Sequence, residues 1–429
     1  MSIHSCLHIL SRMLIPAAVL VLTACNDDDA LRDAHGAHDH EAPSSGRLVI
    51  GDANGAAPRA LVHDLDSDAT VASLSLRHAP TALYASPGGR YAVVVQATEG
   101  LVSFVDGGVW LHDDHVHADT PTLLAFERSG TKPAHYQVHE DQAALFYDGE
   151  GDTPAGFDLL TDASLATSQI VARATLPVPV HGVAQPREGA VLAVDYSADE
   201  AAGEAPRSAV KHYELHGDHF HDEGRFATPC ENLHGSAGNE DYTAFGCTDG
   251  VLLIQQDGET FTDRKLSIGQ RITQMAGHHA VSVFAGFASD GTLYVIDPTT
   301  DTATPFDWNG AAADVGIRQY RFDTHGEHLL ILDRTGMLHV LEAHGDHFDR
   351  KAAVQVLTAD DSAARITTSG ADDLAFVTDP AGRAVVVVDL ATVDIVDHVD
   401  LDFAPTGITW LGIAPDADHD HDHEHDHDH

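Results

Sequence analysis

Residues 132–148 read "KPAHYQVHEDQAALFYD". A short mixed segment runs to an acidic turn at Glu140 and Asp141, and an unbroken apolar run follows it. The same order recurs at 178–195, "VPVHGVAQPREGAVLAVD", and at 231–249, "ENLHGSAGNEDYTAFGCTD". Elsewhere "YAVVVQA", "AVSVFAG", "LLILDRTG", "LAFVTDP" and "AVVVVDL" are likewise short, β-branched and bounded by Gly, Pro or Asp. No long stretch repeats its apolar residues with the helical period. The pattern predicts an all-β chain of short strands.

The units open near Pro80, Pro133, Val180, Asn232, Arg271, Arg318, Arg365 and Pro405. Their spacing is about 40 to 50 residues, the period of four-stranded propeller blades. The last segment, "APTGITWLG" at 404–412, has no room to complete a blade. Near the other end "RLVIGD", "ALVHDLD" and "VASLSLR" supply three strands without an opening one. Pairing the two ends completes the ring and removes its free sheet edges. The expectation is one β-propeller over 47–414, with eight four-stranded blades and seven as the fallback.

The flanks differ in kind. Arg12 precedes the apolar run "MLIPAAVLVL" at 13–22, too short for a stable membrane anchor. "LTAC" at 22–25 is similar to the lipobox of bacterial lipoproteins. That similarity implies a signal peptide over 1–24, lipidation at Cys25 and a periplasmic, membrane-tethered body, with an ordinary cleavable signal as the alternative. Residues 25–46 carry His35, His38 and His40 among acids, and 415–429 read "PDADHDHDHEHDHDH". Both stretches lack the apolar residues that order a chain. Imidazole interleaved with carboxylate suits cation scavenging better than it suits a plain histidine tag.

The chain carries 67 acidic and 23 basic side chains, a formal net charge of -44, with 32 histidines. That charge excludes phosphate-backbone binding as a main activity and favours cationic partners. Beyond Cys6 and Cys25, two cysteines remain, Cys230 and Cys247. In an oxidising compartment they are expected to pair, a link worth roughly 3 kcal/mol. The rival is metal, because Cys230 and His234 have a Cys-x3-His spacing.

The other histidines fall into two sets. "WLHDDHVHAD" at 110–119, "ELHGDHFHDE" at 214–223 and "EAHGDHFDRK" at 342–351 share a His-Gly/Asp-Asp-His core. Each falls where a blade's third strand turns into its fourth, and Gly-Asp suits a two-residue turn. Across such hairpins His112, His115 and His117, His216, His219 and His221, and His344 and His347 reach a shared cation weakly. The alternative is a solvated loop tip. The second set is His135, His181 and His234, at matching places in the opening segments of three consecutive units. First strands line a propeller's channel, so these imidazoles are expected to converge at one mouth. Three nitrogens with a fourth position open suit Zn2+, with Cu2+ behind it. His139 and nearby acids are candidates for the fourth position or for orienting the ligands. The alternative is three channel histidines satisfied by water.

Together, the exported start, the His/Asp-rich segment, the "HGDHFH" hairpins, "CENLHGSAG" and the propeller pattern resemble AztD-type periplasmic zinc metallochaperones over essentially the whole mature chain. The resemblance implies a propeller that holds zinc and passes it to the solute-binding protein of a zinc ABC transporter, with His135, His181 and His234 as ligands. It implies no catalysis. A monomer is expected, without nucleic acid, meeting the membrane only through Cys25. No G-x-S-x-G, H-E-x-x-H or nucleotide loop in strand-helix context is present. The alternatives are a metal-dependent propeller hydrolase or oxidoreductase and a passive interaction scaffold.

Overall fold

In a computed structural model the described residues are 44–112, 115–310 and 315–414. They form eight four-stranded antiparallel sheets arranged as a β-propeller, with a two-stranded hairpin inserted in one blade. Blade 1 is built from both ends of the chain. Its strand Pro405–Leu411 pairs antiparallel with Arg47–Asp52, which pairs with Arg59–Asp64 and then with Ala69–Ser75. Blades 2 to 8 open at Ala82, Pro133, Ala184, Ser236, Ile272, Ile317 and Ile366. The unit starts read from the sequence fall close to these, and ring closure by the terminal strands is as expected.

The strands differ by layer. Second strands are buried along their length in "YAVVVQ" (Tyr91–Gln96), "AVLAVD" (Ala190–Asp195) and "HLLILD" (His328–Asp333). They are apolar on both faces because each face packs on another blade. Fourth strands such as His219–Arg225 and Asp394–Asp400 are largely exposed and charged, which discourages pairing with a second chain.

The buried apolar residues divide into eight clusters, one for each junction between neighbouring blades. Phe146 and Phe157 of blade 3 meet Val191 and Ala193 of blade 4. Leu192 and Val210 of blade 4 meet Phe245 and Leu252 of blade 5. Leu48, Ile50, Ile408 and Trp410 of blade 1 meet Phe376 and Val387 of blade 8. The ring is therefore held by a chain of equivalent apolar contacts that has no end.

Because consecutive strands alternate in direction, each blade presents its parts at fixed ends. Opening strands start at one face of the ring and finish at the other. The turn into the second strand and the hairpin between third and fourth strands share that second face. Ser282 of blade 6 shows this directly, bonding through its backbone N–H (3.1 Å) and its hydroxyl (2.6 Å) to the carbonyl of Gly345 at the blade 7 hairpin tip. Blade 1 places the start of Arg47–Asp52 beside Leu411, the end of its opening strand. The described chain thus begins and ends at the hairpin face.

Candidate metal centre

His135 lies in the opening strand Pro133–His139 of blade 3. His181 and His234 precede the opening strands of blades 4 and 5, which begin at Ala184 and Ser236. Main-chain bonds still hold the latter two in line. Val180 N–H donates to Asp148 O (2.9 Å), and His234 N–H donates to Gly246 O (3.0 Å). The three imidazoles come together at the face where opening strands start. His135 Nε2 and His181 Nε2 are 3.4 Å apart. The ring centroids of His135 and His181 are 5.0 Å apart, and those of His181 and His234 are 5.7 Å apart. All three rings line one cavity of about 30 Å3 with Gln137, Val183 and Ser236. That is room for about one water or one ion.

Glycine makes this approach possible. A Cβ on Gly182 would lie 2.0 Å from Val194 Cγ1. Gly235 has a φ of +78°, and a Cβ there would meet Thr273 O at 2.7 Å. His-Gly at 181–182 and at 234–235 is thus a packing requirement.

Two of the three rings have a partner that fixes the useful nitrogen. His181 Nδ1 is 2.8 Å from Asp148 Oδ2, so Nδ1 carries the hydrogen and Nε2 presents a lone pair. His234 Nδ1 donates to the carbonyl of Thr273 at 2.8 Å, with the same result. A carboxylate or carbonyl on the far nitrogen is how proteins orient metal-binding histidines. Burial, and then the charges of His181 and His234, push the His135 pKa down to about 4. That imidazole is neutral at physiological pH, as a ligand must be. Arg207 donates to the carbonyl of His181 at 2.6 Å, and its charge lies close enough to Asp148 to offset it.

The donor set fits zinc closely but incompletely. Two Nε2 ligands on one tetrahedral ion stand about 3.3 Å apart, with ring centroids about 5.2 Å apart, from Zn–N bonds of about 2.0–2.1 Å. The His135–His181 pair meets both values. Among the described residues no group of three or more His, Cys, Asp or Glu side chains is arranged so that it could hold a metal ion as it stands. The shortfall lies at His234, whose ring is about half an ångström too far from His181 for that geometry.

His139 is not part of this cluster. It ends the strand in which His135 is the third residue, about 13 Å away at 3.3 Å per residue. There it is buried, with Arg187 and His279 as its charged neighbours. The orienting role expected of it falls to Asp148, just past the second strand of the same blade. Cys230 is no ligand. It is bonded to Cys247, and both are fully buried.

The hairpin histidines lie between third and fourth strands. His112 pairs with His115 across the inserted hairpin of blade 2, where the His117 ring stacks on Trp110 at 4.3 Å. His216 pairs with His219, and the rings of His219 and His221 are 5.2 Å apart. His344 and His347 are 5.1 Å apart, ring to ring. Cys25, His35, His38, His40 and the histidines of 415–429 lie outside the described residues. A wider cleft of about 870 Å3 between blades 2 and 3 is lined by Lys132, Glu150 and Arg173 and has no imidazole.

Fold and site together define a class: eight-bladed propellers with clustered imidazoles at one mouth of the ring. The chain is similar to the zinc chaperone AztD of Citrobacter koseri. The two are 28% identical over 229 residues, 51% of this chain and 52% of that protein. The alignment thus spans about half the length of the curated relative. Solved structures of Citrobacter koseri AztD, one of them the apo form, share the fold with a TM-score of 0.71. They are 22% identical to this chain, covering 85% of it and 97% of their own. The dihydro-heme d1 dehydrogenase NirN shares the fold more distantly, with a TM-score of 0.57 and 14% identity over 86% of this chain and 75% of its own. No protein-family model matches the chain.

Proposed function

We propose that this protein is a zinc-binding chaperone of the bacterial periplasm, not an enzyme. In this reading it holds one ion at His135, His181 and His234 and passes it to the solute-binding protein of a zinc uptake transporter. The observation that carries the reading is the 3.4 Å separation of the His135 and His181 Nε2 atoms beside a third imidazole. Similarity to AztD supports zinc as the cargo. The lipobox-like "LTAC" supports export and a lipid tether at Cys25.

Three imidazole ligands leave a fourth position on a tetrahedral ion. An incoming histidine or carboxylate of an acceptor takes that position first. The protein's own ligands then leave one at a time, so the ion is never released to water. His234 is the natural first to leave, because its ring stands farther from His181 than that of His135 does. The half-exposed His181 lies at the cluster's solvent side and is accessible to an acceptor.

Competition titration against a zinc-responsive dye tests the site. Wild type is expected to show one tight equivalent, and His181→Ala is expected to lose it while weaker binding elsewhere persists. Identical curves for the two proteins rule the site out. Transfer is tested by mixing loaded protein with the acceptor in the presence of a chelator that traps free zinc. Acceptor loading at a chelator-independent rate supports direct exchange.

A further inference from the structure

The hairpin of blade 4 carries a second arrangement of donors, far from the first. In its ladder His216 pairs with His219, Leu215 with Phe220 and Glu214 with His221. Side chains alternate across a strand, so Glu214, His216, His219 and His221 share one side of the ribbon. Leu215 and Phe220 take the other side and pack on the core between blades 3 and 4. The apolar pair anchors the ribbon and leaves the four donors facing water.

Two of them already stand at the bite of a metal ion. His219 Nε2 and His221 Nε2 are 3.2 Å apart, with ring centroids 5.2 Å apart. Both values match the spacing of two imidazoles on a tetrahedral zinc, about 3.3 and 5.2 Å. His219 Nδ1 lies 3.2 Å from Asp218 Oδ1, which places the hydrogen there and frees Nε2. His216 stacks on His221 with ring centroids 4.2 Å apart and bonds Glu214 through Nε2 at 2.8 Å. Neither a lone pair of histidines nor an acidic patch would present this combination.

We propose that this hairpin is a separate divalent-cation site, with His219 and His221 as its primary ligands and Glu214 and His216 supplying further donors. The inference extends the zinc-carrier reading but does not need the three-histidine centre. The two sites lie at opposite faces of the ring, because the centre sits where opening strands begin and the hairpin sits where they end. The described chain also begins and ends at the hairpin face.

Carbethoxylation of histidines in the full chain, read by peptide mass spectrometry with and without zinc chloride, tests the proposal. Zinc at about ten times the site's dissociation constant is expected to slow modification of His219 and His221 about tenfold. The same protection is expected in His181→Ala, and it is expected to vanish at His219 in His221→Ala. Protection of His181 without protection of the hairpin overturns the proposal and leaves the three-histidine centre standing. Loss of hairpin protection in His181→Ala overturns the independence of the two sites. Protection at neither place overturns both readings.

Discussion

Asp148 carries more of the candidate centre than its position after a strand suggests. It fixes the His181 tautomer and bonds the backbone around that residue, with Gly182 N–H 3.4 Å from its Oδ1. Asp148→Asn keeps the shape but removes the charge that holds the hydrogen on Nδ1. Zinc affinity is expected to fall about 10–100-fold, measured by dye competition, with little change in thermal midpoint. At the far end of the opening strands, burial holds His139 at about 4, and burial followed by the charge of His279 holds His278 at about 4. Both values lie below the unfolded value of about 6.5, so the unfolded chain takes up protons first as pH falls. The stability gained by keeping these rings neutral is complete above pH about 6.5 and is lost progressively toward pH about 4. Urea midpoints of the metal-free protein should decline across that window, and less steeply in a His139→Gln variant.

At the level of elements, a covalent tether holds the segment bearing His234. The disulfide Cys230–Cys247 closes a loop with a sequence separation of 17, tying this segment to the second strand of blade 5. Replacing both cysteines by serine should cost about 3 kcal/mol of stability in denaturant titration. It should also weaken zinc binding, because the third imidazole loses its tether. Gly182 sets the packing beside His181, where a methyl group would drive into Val194. Gly182→Ala is expected to cost about 1–3 kcal/mol and to displace His181, seen together as a lower thermal midpoint and weaker zinc binding. These features were partly legible in the residues. The three histidines could be aligned because each precedes an apolar run by a similar distance, and the cysteines were few enough to pair. His139 misled because four residues along a strand is a near neighbour in the chain and about 13 Å away in space. Asp148 stood in plain view in "FYDG", but nothing local distinguishes an orienting carboxylate from a turn residue. Arg207 gave no signal, since it reaches His181 from a loop 26 residues away.

For the whole molecule the decisive contact is the one that closes the ring. Arg47–Asp52 pairs with Pro405–Leu411, and the residues involved pack on both blade 8 and blade 2. Deleting the chain beyond residue 404 unpairs a buried strand and opens two apolar junctions at once. The loss should exceed about 5 kcal/mol, comparable to the stability of a typical domain. Broad, non-cooperative unfolding and association through the bared edges are expected, followed by calorimetry and light scattering.

By itself the sequence determined the repeat and the closure of the ring by its terminal strands, and favoured eight blades over seven. Those depend on periodicity and on burial of apolar runs, which are local properties of a chain. It also supplied the residue types for a metal centre, because only imidazole and carboxylate are abundant enough to serve. The tertiary structure decided that the three aligned histidines meet and that His139 does not, since convergence depends on how blades rotate about a common axis. It alone also set the hairpin cluster and the three-histidine cluster on opposite faces. That separation follows from the alternating direction of antiparallel strands once they are fixed in a closed ring.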